Sequence, residues 1–357
     1  MDAYKYVIIG GGQAGGSAAE AIRDVDPEGS LVLVTQEPHR PYQRPPLSKG
    51  YLQGEKGLEG VYLKDEAYYE NQGIVLRSGT RALALDRATG TVSLDDGQVL
   101  SYERLLLATG GRAWRLPLPG NDLGNVITLR TIEDSQRIQE AGGEGRRALV
   151  LGGSFIGSEV TMSLVQLGTD VTMAFPESRL MQRIAAPEFS DMLEAMYRER
   201  GVRILTGTTA ERLEGDGQVE RAVLDNGETL KVDLVVMGVG IRLNTGLAQE
   251  AGLALDEEKA ILVDEYLRTS DPNIYAAGDI AAWPDPVFDR RLRVEHWDVA
   301  YNQGNRAGRN MAGDEEPYTV LPYFFSDLFE LALEGWGNLD SWDQTVLRGS
   351  LEEGSYA

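Results

Sequence analysis

The stretch YVIIGGGQAGGSAAE, residues 6–20, decides the fold. An apolar strand over residues 6–9 runs into Gly10, Gly12 and Gly15 at G-x-G-x-x-G spacing, and Ala18, Ala19 and Ala21 beyond them favour helix. Gly10 permits a tight turn, Gly12 lets the backbone approach a pyrophosphate, and Gly15 lets helix and strand pack closely. The helix start then turns unpaired N–H groups and a positive dipole end toward the phosphates. The stretch is read as a dinucleotide cradle.

Working outward, residues 31–34 form a second strand that ends in Thr35, Gln36 and Glu37. An acid at this point of a dinucleotide fold accepts hydrogen bonds from a ribose; Glu37 is the candidate, with Gln36 the alternative at the position. The loop PYQRPPLSKGYL, residues 41–52, is stiffened by its prolines, and Arg44 and Lys49 place two cations beside the cradle. Residues 82–85 and 91–94, with the turn Asp96-Gly97, read as a small antiparallel insertion. Residues 105–107 are an apolar strand suited to a buried parallel sheet, and the small residues Ala108, Thr109 and Gly110 at its end let a cofactor lie close to the backbone.

From residue 147 the first pattern repeats: strand 148–151, glycines at 152 and 157, a helix to 167, Gly168 as its stop, and strand 171–175. A second cradle implies a second dinucleotide. Ser154 stands at its middle-glycine position, and Phe175 and Pro176 precede Glu177. Glu177 could reach ribose hydroxyls, whereas Arg179 could meet a 2′-phosphate; the reading leans to NADH over NADPH. Strand 234–237 closes this domain at residues 238–240, and strands 261–263 and 274–277 lead into Gly278 and Asp279.

The 357 residues suffice for two or three domains, and no apolar run approaches the roughly 20 residues of a membrane helix. A net charge of −22 argues against nucleic acid and anionic membranes as partners. With no cysteine, the chain can carry no disulfide, thiolate or iron–sulfur chemistry of its own. The N-terminus enters strand almost at once, leaving no room for a signal peptide, so a cytoplasmic protein is expected.

RPPLSK, LLLATGG (residues 105–111), VLGGSFIGSE (150–159), YAAGDIA (275–281) and RVEHWD (293–298) follow one another in this order. Together they resemble the FAD-dependent pyridine nucleotide oxidoreductases, in the ferredoxin reductase-like branch that includes rubredoxin and putidaredoxin reductases and apoptosis-inducing factor. The resemblance covers nearly the whole chain. It implies an α/β fold of two Rossmann-like dinucleotide-binding domains, arranged as in glutathione reductase, plus a partial C-terminal α+β domain. The FAD-binding domain would comprise residues 1–112 and 242–316, and the NAD(P)-binding domain residues 113–241. Residues 317–357 would begin an interface-like domain that stops short in a strand-like run.

To FAD the resemblance assigns the cradle residues Gly10, Gly12, Ala14 and Gly15, then Glu37, Arg44, Pro45 and Lys49, and Ala82 with Ala108, Thr109 and Gly110. Asp279, after Gly278, would bond the ribityl chain; Glu295, His296 and Trp297 would lie along the flavin ring, and Phe325 would shield it. Hydride transfer needs no imidazole, so packing and chemical roles both stay open for His296. Arg130 is a further cofactor-binding position. To the nicotinamide nucleotide it assigns Gly152, Gly153, Ser154, Phe155, Ile156, Glu159, Glu177, Gly240 and Glu334, with Phe155 gating the nicotinamide. Lys49 and Glu159 would form a catalytic ion pair beside the flavin.

The activity implied is an NAD(P)H-dependent flavoprotein reductase, in which NADH (or NADPH) gives a hydride to flavin N5 and electrons pass to an acceptor. A ferredoxin- or rubredoxin-like protein, a quinone or oxygen would serve as that acceptor. Small redox carriers are usually acidic, so docking one on this acidic chain would need a basic patch, for which Arg290, Arg291 and Arg293 are candidates. The alternative is an NADH-responsive redox sensor with slow turnover, resembling apoptosis-inducing factor. The sequence leaves a homodimer open.

Overall fold

A computed structural model of the protein describes residues 1–339, 342–350 and 355–357; part of the strand-like ending expected before Ala357 lies outside them. Along the described chain run helices α1 (Gln13–Val25), α2 (Glu66–Asn71), α3 (Ile132–Ala141), α4 (Phe155–Gln166), α5 (Pro187–Glu199), α6 (Gly246–Glu250) and α7 (Trp297–Met311). None of these is long and apolar enough to cross a membrane. The chain divides into two compact units, each described by itself below.

The first unit comprises Met1–Arg44, Leu58–Arg112 and Arg242–Phe324. Its sheet runs Ile74–Arg77, Leu31–Val34, Asp2–Ile9, Val99–Leu107, Thr91–Leu94 and Ala82–Asp86, and Ile274–Ala276 joins Val99–Leu107. The runs YVII, LVLV and LLL are apolar on both faces, which suits strands buried between helices, and all are buried here. Val99–Leu107 changes partners along its length. Its outer half pairs antiparallel with Thr91–Leu94, and its inner half runs parallel to Ile274–Ala276 with Ile274 opposite Leu105. The first strand begins at Asp2 rather than at the expected residue 6, because residues 2–4 pair with residues 100–102. Those outer residues lack the apolar pattern, so hydropathy did not mark them.

Asp2–Ile9 lies between Leu31–Val34 and Val99–Leu107, with Ile9 opposite both Val34 and Leu107. The chain passes from this strand through α1 to Leu31–Val34 on one side, while Val99–Leu107 flanks it on the other, so its carboxyl end is a switch point of the kind where open α/β sheets form a crevice. Helix α7 packs on α1 at backbone distance: a Cβ on Gly304 would lie 2.2 Å from the Ala14 carbonyl oxygen, and one on Gly308 2.5 Å from that of Ala18.

The second unit comprises Pro45–Gly57, Ala113–Ile241 and Phe325–Ala357. Its parallel sheet runs Arg203–Thr206, Asp170–Phe175, Arg147–Leu151, Leu234–Met237 and Val126–Thr128. The central Arg147–Leu151 has neighbours on both sides, so the same switch point recurs at its carboxyl end. A three-stranded antiparallel sheet, Ala210–Glu214, Arg221–Leu224 and Thr229–Lys231, is inserted before the last parallel strand.

Candidate functional site

The strand ending at Ile9 reaches Gly10 at φ +126°, a left-handed conformation that side chains resist. A Cβ there would lie 2.1 Å from the Ala108 carbonyl oxygen, and a Cβ on Gly15 only 1.9 Å from that of Gly10. These two glycines therefore serve the fold. Gly12 is different: it is the N-cap of α1 in an ordinary extended conformation, and a Cβ there would meet nothing within 4 Å. No side chain caps α1 and no acid stands in its first turn, so its N–H groups face open space that a pyrophosphate fits.

Other chain segments of the first unit converge on this edge. Gly278, at φ +80°, packs so closely that its Cβ would lie 3.3 Å from that of Ala14, which brings the half-buried Asp279 beside the cradle. Buried Gln303 accepts the Gly278 N–H at 2.9 Å. Asn244, which sequence reading missed, seals the strand end: it accepts the Thr109 hydroxyl at its carbonyl (2.6 Å) and returns a side-chain bond to the Thr109 carbonyl (3.0 Å). Ala82 and Ala108 are buried, and Gly110 takes a left-handed turn.

Glu37 accepts the buried Tyr42 hydroxyl at one oxygen and Arg44 at the other, the latter at 2.7 Å, while Arg44 also reaches Tyr42 at 2.9 Å. Arg44 is thus tied to Glu37 rather than projecting as a separate cation. Burial raises the Tyr42 phenol far above its ordinary range, so it is the donor. Glu295 is exposed and paired with Arg293 at 2.6 Å, and the Trp297 ring stacks on Tyr301 at 5.6 Å. The proposed basic patch is also largely committed. Arg291 donates to the Val263 and Ala282 carbonyls, each at 2.8 Å, and Arg293 faces Glu295 and Glu258.

His296, the N-cap of α7, lies 5.3 Å from the Phe324 ring. Burial lowers its pKa below the ordinary 6.5, with the Asp279 charge opposing. As pH falls through that value the unfolded chain takes up a proton that the folded ring refuses, so folding stability declines toward acid. The chain has two histidines, which makes this separable. Denaturant midpoints stepped from about pH 7.5 to about 5.5 are expected to fall in the parent and to fall less in His296→Gln. Equal slopes would refute the assignment.

In the second unit the cradle repeats. Gly152 has φ +120°, and a Cβ on Gly157 would lie 2.0 Å from the Gly152 carbonyl oxygen. Ser154 is exposed at the N-cap of α4 and makes no side-chain cap bond; Phe155 is half-buried and Ile156 exposed. The Phe175 ring lies under Gly153, whose Cβ would be 2.6 Å from it. Glu177 pairs with Arg183 at 3.3 Å, and Arg179 with Asp191 at 3.0 Å. Met181 bends back to donate to the Gly153 carbonyl at 2.7 Å. Gly240 accepts the Trp114 N–H at 2.8 Å, and half-buried Arg130 precedes the Thr131 cap of α3.

Lys49 and Glu159 meet in this unit. The two prolines of RPPLSK make a 3₁₀ turn, Pro45–Ser48, that carries the next side chain toward α4. Lys49 Nζ lies 3.3 Å from Glu159 Oε1 and 3.3 Å from Asp327 Oδ2, and 4.9 Å from the centre of the Phe325 ring. Glu159 is buried and also accepts the Ser48 and Ser326 hydroxyls, at 2.5 and 2.7 Å. Glu334 is exposed on the strand Leu331–Trp336.

Residues 4–304 match the family model described as pyridine nucleotide-disulphide oxidoreductase. The chain belongs to that family. It is 38% identical to the probable ferredoxin reductase CtmF of Castellaniella defragrans, over 99% of this chain and 86% of that one. It is 36% identical to putidaredoxin reductase CamA of Pseudomonas putida, over 98% and 84% respectively. Among solved structures, the covalent putidaredoxin reductase–putidaredoxin complex superposes with a TM-score of 0.93 at 36% identity, covering 98% of this chain and 84% of that one. The fold is that of these two-Rossmann reductases, and the open first cradle fits its FAD. The protein is an NAD(P)H-dependent flavoprotein reductase.

Proposed function

We propose that the protein oxidises NADH and passes the electrons one at a time to a small iron–sulfur protein. The observation that carries this is a reductase fold with two nucleotide cradles and no cysteine, so electrons must leave for an external acceptor rather than a dithiol within the chain. The ferredoxin and putidaredoxin reductases among its relatives favour an iron–sulfur carrier over quinone or oxygen. Bound FAD would supply the conversion between a two-electron hydride donor and a one-electron acceptor. Residues 1–112 and 242–316 would hold FAD, residues 113–241 the nicotinamide nucleotide, and residues 317–357 would shield the flavin. An NADH-fed redox enzyme without cysteine fits the cytoplasm.

The chain's own residues bind and orient. Glu177, which faces Arg183, would turn to accept the adenosine ribose hydroxyls, and Arg179 lies beside Asp191, whose negative charge disfavours a 2′-phosphate there. Phe155 would cover the nicotinamide, and Lys49, held by Glu159, would place positive charge where negative charge develops.

Stopped-flow reduction of a [2Fe–2S] ferredoxin is expected to follow NADH at least about tenfold faster than NADPH, and Glu177→Ala to erase most of that preference. Oxygen consumption outpacing ferredoxin reduction would overturn the acceptor assignment. An unchanged nucleotide ratio in the variant would overturn the role of Glu177.

A further inference from the structure

Glu159 is held by more than its lysine. Both of its carboxylate oxygens accept a serine hydroxyl, Oε2 from Ser48 at 2.5 Å and Oε1 from Ser326 at 2.7 Å, while Lys49 stands off at 3.3 Å. A well-made ammonium–carboxylate hydrogen bond is about 2.7–2.9 Å, so the close contacts here are the serines. The three groups are buried, with Ser48 1% exposed, Ser326 0% and Glu159 6%. Lys49 cannot orient the carboxylate by itself, because Asp327 draws on the same ammonium at the same 3.3 Å.

The two serines come from remote segments that are themselves anchored. The Ser48 carbonyl accepts the Ser163 hydroxyl of α4 at 2.7 Å, and Ser135 of α3 donates to the Leu47 carbonyl at 2.7 Å. Ser326 lies on the strand Tyr323–Leu328, whose following turn is clamped to α4 and α5. There the Phe329 N–H meets Met162 Sδ at 2.9 Å, the Phe329 ring packs on Tyr197 at 5.2 Å, and Glu330 pairs with Arg200 at 2.5 Å. Pincers this well supported fix a direction, which a flexible lysine does not.

We propose that Ser48 and Ser326 are positioning residues that hold the Glu159 carboxylate aimed at Lys49. The consequence for turnover rests on the reading of Lys49 and Glu159 given above; the hold on the carboxylate does not. Each hydroxyl is the close donor to one carboxylate oxygen, so removing one frees the carboxylate to turn away from the ammonium. The other charged or titratable groups facing it are Lys49, Asp327 through that lysine, and the Tyr197 phenol of α5, with Arg200 behind the Phe329 ring.

The test follows Glu159 by carbon NMR of glutamate-labelled oxidised protein, its resonance identified by loss in Glu159→Gln. In Ser326→Ala that carboxyl resonance is expected to move and broaden as the carboxylate loses its fixed direction. The limiting rate of NADH-driven flavin reduction is expected to fall about tenfold with the half-saturating NADH concentration unchanged, and Ser326→Thr to restore both. Ser48→Ala, which frees the other oxygen, gives an independent second reading should Ser326→Ala fold poorly by its melting curve. A Glu159 resonance that stays sharp and in place in the folded alanine variants overturns the proposal. A resonance that moves while the limiting rate stays parent-like sustains the hold on the carboxylate and refutes the catalytic reading of the pair.

Discussion

Valine at position 12 is expected to leave the FAD-free protein folded while weakening FAD binding by at least about a thousandfold, or about 4 kcal/mol. Gly12 has φ −83° and ψ −168°, which any residue can adopt, and a Cβ there meets nothing within 4 Å. The protein thus has room for the side chain, and the bound pyrophosphate does not. What is lost is the approach of about two backbone N–H groups to phosphate, each charge-assisted bond being worth about 1.5–3 kcal/mol. Gly15→Ala is the contrast, because its Cβ would sit 1.9 Å from the Gly10 carbonyl oxygen and force strand and helix apart. Melting curves of the FAD-free variants and fluorescence titration with FAD separate the two effects. Parent-like FAD affinity in Gly12→Val would show that the phosphates lie elsewhere.

Glu159→Ala is expected to slow flavin reduction by NADH about a hundredfold and to destabilise the fold by about 3–5 kcal/mol. The substitution takes the buried partner from a lysine that is 13% exposed, leaving it only the exposed Asp327, and removes the acceptor of two buried hydroxyls. Glu159→Gln keeps the volume and one hydrogen-bonding oxygen, and Lys49 retains Asp327, so a smaller loss of about tenfold in rate is expected. Stopped-flow absorbance gives the rate, and denaturant melts give the stability. Parent-like reduction in a folded Glu159→Gln would mean that the charge at this position does not act on the reaction.

The parts of the fold legible from sequence were those whose physics is local. The strands at 31–34, 91–94 and 234–237 appear at those limits because short runs bounded by turn residues and apolar throughout, or at every second residue as in 91–94, have few other ways to be buried. Gly168 ends its helix as expected, at φ +85°. What sequence could not reveal depends on contacts between distant residues. Asn244 lies 135 residues from Thr109, and Ser326 lies 167 from Glu159. Nothing in the pattern around any of them signals the partner. Residues 41–52 read as a stiff loop, but the paired prolines wind into a 3₁₀ turn, and that winding decides where Ser48 and Lys49 point. Arginines 291 and 293 looked like free surface charge because sequence carries no record of which carbonyls and carboxylates lie within reach.

The most direct test of the account is an anaerobic titration of the FAD-loaded protein with NADH, followed by addition of oxidised [2Fe–2S] ferredoxin. The expected result is loss of the flavin bands at about one equivalent of NADH and their return as the ferredoxin is reduced. Flavin bands that NADH leaves unchanged would contradict it.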